Sequence, residues 1–320
     1  MNKEKLSNIR IPIIVLAFTA IAVGCGEQTA TEGDQDGGVS GNLINVVATT
    51  TILGDVVGAV GGELIDLDVL LPPGADPHAY LVTPRDVAAL ADADLVFVNG
   101  LGLETFLEPV LENVGANTRV ITVSDGIKAI RAPGSDGDEN TADADPHVWF
   151  DPLRVMIWVD NIEDALIEMD PDNQNTFRDN AELYREQLRQ LDAWIVERIE
   201  QLPVERRLLV TDHDSFGYLV DRYGLELIGT VIPGYSTQSQ PSAKELAALL
   251  EIIGQRDVTA VFVSDSANSS LAEQIARDSE IRLIPLSTGS LTVATGEAAT
   301  YLEFMHTIIE TITDALSAAN

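Results

Sequence analysis

Residues 145–152 are Asp-Pro-His-Val-Trp-Phe-Asp-Pro, and the first three repeat the tripeptide at residues 76–78. Proline fixes its own φ angle and keeps the preceding Asp out of the α region, so His78 and His147 each follow a stiff, extended corner. The Asp-Pro pair that ends the longer stretch fits the N-cap and first position of a helix. The repeated corner therefore predicts two imidazoles that are held in defined directions.

Three histidines at the ends of predicted elements indicate a metal site. The third, His213, lies in Asp-His-Asp at residues 212–214, after an apolar run and before a helical pattern. One Asp-Pro-His is also ordinary turn chemistry, but a second copy and a third histidine in a similar place favour ligation. Three neutral imidazoles suit zinc, copper or nickel better than magnesium or calcium. We predict that His78, His147 and His213 bind one Zn²⁺, with Mn²⁺ less favoured, and we leave out His306, which lies within a helical pattern.

Short apolar runs alternate with helical patterns on both sides of one long helical segment. The runs lie between residues 44 and 123 and again between residues 207 and 286, and they predict strands with helices between them. Such alternation indicates largely parallel sheets. The segment at 172–201 has apolar residues at helical spacing, and at about 1.5 Å per residue it would extend roughly 45 Å. We predict an α/β fold of two α/β lobes joined by one long rigid helix, with the metal site in the cleft between the lobes.

The first 24 residues have the features of a lipoprotein signal peptide. Three basic residues precede an apolar run from Ile11 to Val23, and small residues lead into Cys25. The run is too short to span a bilayer comfortably. Cys25 is the only cysteine, so the chain has no intramolecular disulfide. We predict that Cys25 carries lipid and anchors an extracytoplasmic protein to the cell membrane; an ordinary signal peptide that contains a cysteine is the alternative.

Two stretches lack the apolar residues that a folded core needs. Residues 25–42 and 133–144 are rich in Gly, Asp, Ser and Thr, and we interpret them as a flexible acidic tether and an exposed acidic loop. The N-terminal lobe is then expected at 43–171, the linking helix at 172–202 and the C-terminal lobe at 203–320.

The formal net charge of −32 argues against nucleic acid as a partner, and we expect a monomer.

These motifs together resemble the zinc/manganese solute-binding lipoproteins of metal-uptake ABC transporters. The resemblance covers nearly everything after Leu43, and its most specific parts are Pro73–Tyr80, residues 145–152 and His213–Tyr218. It implies a metal ion held between two α/β lobes and delivered to a membrane permease, with no catalysis. In that family a histidine at the third ligand position usually accompanies zinc and a glutamate accompanies manganese. The position is His213 here, so the resemblance implies a high-affinity zinc-binding component.

The sequence departs from the family pattern at two positions. The family commonly has a fourth ligand, an aspartate, in a loop after the last strand, but Gly289 stands near that place. The frequent glutamate after a Val-Phe-Val strand is replaced by Ser264, with Asp265 next to it. Adjacent residues of a strand point to opposite faces, so Asp265 is a weak substitute. The fourth ligand is left open between water and Asp265.

Two other classes of protein are compatible with a three-histidine metal site. An open fourth position that holds water is also how catalytic zinc is arranged, which makes a three-histidine zinc hydrolase one alternative. The sequence offers no convincing general base for it. A surface adhesin or a metal-storage lipoprotein is the other alternative. The signal sequence, the two lobes and the motifs favour transport.

Overall fold

The computed structural model describes residues 43–111, 118–131, 144–264 and 269–318. Cys25, the signal peptide, the tether, residues 133–143 of the acidic loop and Asp265 lie outside these described residues. No helix within the described segments combines the length and the apolar composition needed to cross a membrane.

The first sheet has four parallel strands in the order β2-β1-β3-β4. Its strands are β1 (Ile44–Ala48), β2 (Ile65–Val69), β3 (Leu95–Val98) and β4 (Arg119–Thr122), and the helices along this part of the chain are α1 (Thr51–Gly61), α2 (Pro84–Asp92) and α3 (Glu108–Leu111). The sequence predicts a longer third helix, at 103–113. The structure instead has turns up to Leu107, whose N–H donates to the Glu104 carbonyl oxygen three residues back, at 2.9 Å, rather than four residues back as in an α-helix. Residues 112 and 113 lie outside the described residues.

The second sheet repeats the first with the strand order β6-β5-β7-β8, again all parallel. Its strands are β5 (Leu208–Thr211), β6 (Glu226–Thr230), β7 (Ala260–Ser264) and β8 (Arg282–Leu286), and its helices are α6 (Gly217–Tyr223), α7 (Ala243–Gln255), α8 (Ser270–Asp278) and α9 (Tyr301–Ser317). The sequence predicts strands at 44–49, 65–71, 95–99, 119–123, 207–211, 225–231, 260–263 and 282–286. All of these strands are present, with ends that agree to within two residues. The two parallel-sheet lobes are confirmed.

Alternation along the strands places one face of each sheet in a core that both lobes share. In β1, Ile44, Val46 and Ala48 face this shared core, while Val47 packs in a separate cluster on the outer face. In β7, Phe262 faces the shared core and Val261 faces the outer cluster. Both faces of the second sheet are covered at β7, which explains why this strand is buried along its whole length rather than at alternate residues.

The long helix passes through the shared core. Helix α4 (Pro152–Met169) begins at the Asp151 N-cap, and α5 (Gln174–Glu200) follows it after a short 3₁₀ turn at Pro171–Asn173. Helix α5 has 27 residues, so it is about 40 Å long. Its buried stripe consists of Phe177, Ala181, Tyr184, Leu188, Leu191, Ile195 and Ile199. Residues 42–320 form one compact unit, and we retain the division into lobes at 43–171 and 203–320 with a linking helix at 172–202 as a proposal.

Candidate metal centre

Each of the three predicted histidines is fixed by an aspartate that comes just before it in the chain. The main-chain N–H of His78 donates to Asp76 Oδ1 at 2.9 Å, and that of His147 donates to Asp145 Oδ1 at 2.9 Å. The two Asp-Pro-His corners therefore have the same local hydrogen bond. Asp212 plays this part for His213, whose N–H donates to Asp212 Oδ1 at 2.8 Å. Local side-chain to backbone bonds of this kind stabilise turns, so neighbouring residues in the sequence set the backbone at each histidine.

The structure brings His78, His147 and His213 together. The Nε2 atoms of His78 and His147 are 3.1 Å apart, those of His213 and His147 are 3.3 Å apart, and ligand atoms of all three residues lie within 4.8 Å of one another. Two nitrogens held tetrahedrally at about 2.0–2.1 Å from zinc lie roughly 3.3–3.4 Å apart. Imidazole nitrogens that direct their lone pairs at one point repel each other, and a cation at that point relieves the repulsion.

Buried carboxylates select the tautomer of two of these imidazoles. His147 Nδ1 lies 2.8 Å from Asp145 Oδ1, and His213 Nδ1 lies 3.0 Å from Asp212 Oδ1. An ionised carboxylate only accepts, so wherever the aspartate is ionised its partner Nδ1 carries the hydrogen and Nε2 keeps a lone pair for a metal ion. Asp212 is held in turn by the Ser264 N–H, which donates to its Oδ2 at 2.9 Å. From the sequence, an aspartate at either position could orient an imidazole or form a turn or cap. In the structure Asp145 and Asp212 both contact the imidazoles directly.

Burial keeps two of the imidazoles uncharged at neutral pH. It is the main cause that lowers the pKa of His78 to about 3 and the pKa of His147 well below its usual value, and repulsion between the neighbouring imidazolium charges adds to both shifts. Burial also raises the pKa of Asp145 to about 7. It would raise the pKa of Asp212 as well, but hydrogen bonds from His213 and Ser264 outweigh it and lower that pKa. Uncharged imidazoles are ready to bind a cation.

A small cavity of about 10 Å³ remains at the point where the imidazoles meet. This volume is about what a single ion or water molecule needs. Gly289 borders the cavity, where the family resemblance expects an aspartate, and Pro77 packs directly against it. A Cβ atom at Gly289 would lie 3.0 Å from Pro77 Cδ. The other candidate for the fourth ligand, Asp265, is outside the described residues.

Sequence reasoning missed several residues of this site. The Trp149 ring packs edge-on against His147, with 5.2 Å between ring centroids, and its Nε1–H donates to the Thr288 carbonyl oxygen at 3.1 Å. Thr237 borders the same cavity from the segment between β6 and α7. Trp149 belongs to the repeated-corner stretch, but the loop around Thr237 has no pattern that could have revealed it. His306 is placed elsewhere, on α9, with its ring 4.0 Å from that of Trp194.

Comparison with known proteins gives the family. Residues 46–315 match the family model described as "ZnuA: Zinc-uptake complex component A periplasmic". The chain belongs to this family. Among its relatives, the manganese-binding lipoprotein MntA of Halalkalibacterium halodurans is 31% identical over 314 residues, which cover 98% of this chain and 100% of the relative. The zinc-binding protein TroA of Treponema pallidum is 33% identical over 294 residues, which cover 89% of this chain and 92% of the relative.

Solved structures agree with the family assignment. The periplasmic zinc-binding protein TroA from Treponema pallidum superposes with a TM-score of 0.79 at 31% identity, covering 87% of this chain and 100% of that chain. A manganese-bound periplasmic metal-binding protein from Candidatus Liberibacter asiaticus superposes with a TM-score of 0.74 at 27% identity, covering 85% of this chain and 98% of that chain. The family consists of substrate-binding proteins, and this chain is a metal-binding component of an ABC transporter. The relatives are named for zinc and for manganese alike.

Proposed function

We propose that the protein captures Zn²⁺ outside the cytoplasm with His78, His147 and His213 and delivers it to the permease of an ABC transporter. The observation that carries the proposal is the convergence of three Nε2 atoms, with separations of 3.1 and 3.3 Å at His147. Imidazole nitrogen is a better ligand for zinc than for manganese, which prefers carboxylate and water oxygen. The ring hydrogen bonds of His147 and His213 support metal binding at this point, because they leave both Nε2 lone pairs directed at the ion.

Competition between the two metals tests this proposal. The full-length chain, purified without oxygen and stripped with a chelator, is titrated with Zn²⁺ and with Mn²⁺ against a metal indicator. We expect zinc to bind at least about a hundredfold more tightly, because the described ligand set is all nitrogen. Elemental analysis of the unstripped protein should find zinc in a one-to-one ratio. A preference for manganese would overturn the metal assignment.

Cys25 is proposed to anchor the protein to the membrane through lipid. We expect the wild-type chain to partition with membranes and into detergent, and Cys25→Ser to appear in the soluble fraction, because acyl chains supply the membrane affinity. Mass spectrometry of the mature N-terminus should show a lipid-modified cysteine. The matched control is Ser40→Ala in the same tether, which should leave membrane partition unchanged. Membrane partition of Cys25→Ser equal to that of the wild type would rule out the anchor.

Zinc binding should release a proton near neutral pH. In the metal-free protein, burial raises the pKa of Asp145 to about 7, while His78 and His147 are already uncharged because burial lowers their pKa values. A divalent cation next to His147 favours the ionised form of Asp145. As the pH falls below about 7, Asp145 gains a proton that zinc must displace, so zinc affinity should fall by up to about tenfold per pH unit.

Calorimetry in buffers with different ionisation enthalpies measures this proton. We expect more protons to be released at pH 6 than at pH 8, and a smaller difference between the two pH values in Asp145→Asn. The sequence alone predicts that histidines titrating near pH 6.5 compete with zinc. Competition from His78 instead begins far lower, since burial lowers its pKa to about 3. Zinc affinity that does not change between pH 8 and pH 6 would contradict the role of Asp145.

A further inference from the structure

The three histidines of the candidate site are not held equally. His147 and His213 are 2% and 3% exposed, and an aspartate holds both the main-chain N–H and the ring Nδ1 of each. His78 is half-buried, and its aspartate holds only the main-chain N–H. Among the described residues, His78 Nδ1 has no hydrogen bond. The rings of His147 and His213 are therefore oriented by their own aspartates. The position of the His78 ring depends on where the corner at residues 76–78 lies.

The corner at residues 76–78 is held from the opposite lobe. The Thr237 hydroxyl donates to Asp76 Oδ2 at 2.6 Å, while the other oxygen, Oδ1, accepts the His78 N–H. The buried Pro77 packs against Gly289. One carboxylate thus connects Thr237 of the second lobe to the backbone of His78 in the first. A hydrogen bond to an ionised acceptor is among the stronger ones in proteins.

The segment that carries Thr237 is fixed at its base to the corner of another histidine. The Ile232 N–H donates to the Asp212 carbonyl oxygen at 2.6 Å, and the Asp214 N–H donates to the Gly234 carbonyl oxygen at 3.0 Å. Asp212 and Asp214 flank His213. Residues 232–237 therefore run from the His213 corner to the His78 corner, and they can hold the two at a set distance.

We propose that Thr237 is a positioning residue, which holds His78 at the metal through Asp76, and that loss of its hydrogen bond speeds release of the ion. The inference rests on the proposed function, because it concerns the release of the same zinc ion. Other contacts between the lobes do not involve Thr237. They include the Gly74 N–H, which donates to Ser290 Oγ at 2.8 Å, and the Trp149 Nε1–H, which donates to the Thr288 carbonyl oxygen. Removing the Thr237 hydroxyl should loosen the His78 corner and leave the lobes joined.

The rate of zinc release tests this role. The full-length chain is loaded with Zn²⁺ and mixed in a stopped-flow instrument with an excess of a chelating indicator. We expect Thr237→Val to release zinc about tenfold faster than the wild type, because valine keeps the shape and removes a hydrogen bond to a charged group. Thr237→Ser keeps a hydroxyl and should release zinc close to the wild-type rate. Ser236→Ala is the matched control, since the Ser236 hydroxyl accepts from the Gln238 N–H within the same segment.

Two further measurements separate positioning from general stability. The thermal midpoint of the metal-free protein should be nearly the same in Thr237→Val and the wild type, and the association rate of zinc should change less than the release rate. Wild-type zinc binding combined with an unchanged release rate in Thr237→Val would overturn this inference alone. Equally fast zinc release from Thr237→Val and Thr237→Ser, with a lowered metal-free midpoint in both, would also overturn it, because the hydroxyl would then not set the release rate. A wild-type chain that does not bind zinc would overturn the proposed function itself.

Discussion

Replacing His147 with alanine is expected to weaken zinc binding by at least about a hundredfold, because loss of a residue that only orients a ligand already costs roughly 10 to 100-fold. The same loss is expected for His213→Ala. Both imidazoles are buried and both present Nε2 to the shared point. Calorimetry or indicator competition with Zn²⁺ measures the effect.

The variant His78→Ala distinguishes the loss of a zinc ligand from a loss of stability of the metal-free fold. His78 is half-buried and has no carboxylate on its ring, so its removal should disturb the fold less than removal of His147, which would leave Asp145 without its ring N–H donor. Zinc should raise the thermal midpoint of the wild type, since a ligand that binds only the folded state stabilises by about 2.7 kcal/mol at a hundred times its Kd. The midpoint of His78→Ala should respond much less to the same zinc concentration.

His306→Ala is the matched control for these variants. His306 is the fourth histidine of the chain, and it packs on Trp194 away from the other three. The zinc affinity of His306→Ala should equal that of the wild type. Unchanged zinc affinity in any one of the other three variants would remove that histidine from the proposed site.

The sequence predicts those parts of the structure that depend on interactions between residues close together in the chain. Strand alternation, the long helix and the N-cap at Asp151 depend on residues that are neighbours in the chain, and all three are present. The hydrogen bonds that aim the histidines are also local, because each joins a histidine to an aspartate one or two residues before it. Repeated motifs therefore indicated which imidazoles would meet, although their role as ligands stays a prediction.

The contacts that the sequence did not indicate join distant parts of the chain. Thr237 and Asp76 are separated by 161 positions, and Trp149 and Thr288 by 139. The spacing of apolar residues in a sequence does not indicate which two loops face each other across a cleft. The third helix was predicted too long for a different reason. Glu104, inside the predicted range, is buried, and its carboxylate accepts from the Asn99 and Gly100 N–H groups, which holds this stretch in a turn.

Gly289→Asp is expected to strengthen zinc binding by about tenfold, since a partly buried carboxylate next to a divalent ion supplies at least about 1.4 kcal/mol. Gly289 borders the cavity where the imidazoles meet, and its φ angle lies outside the left-handed region, so the backbone accepts a side chain. Manganese should gain more than zinc, because carboxylate oxygen suits the harder ion better. The ratio of zinc to manganese affinity should therefore fall.

Steric pressure on Pro77 opposes this gain, and two controls measure it. A Cβ atom at position 289 would lie 3.0 Å from Pro77 Cδ and 3.2 Å from Pro77 Cγ, so the corner that carries His78 must move by a few tenths of an ångström. Gly289→Ala introduces this pressure alone and should weaken zinc binding slightly. Gly289→Asn adds an uncharged oxygen of the same shape, so the difference in zinc affinity between Asp and Asn at this position isolates the effect of charge. Equal zinc affinities for Gly289→Asp and Gly289→Asn would show that position 289 does not reach the ion, and that another group completes the site.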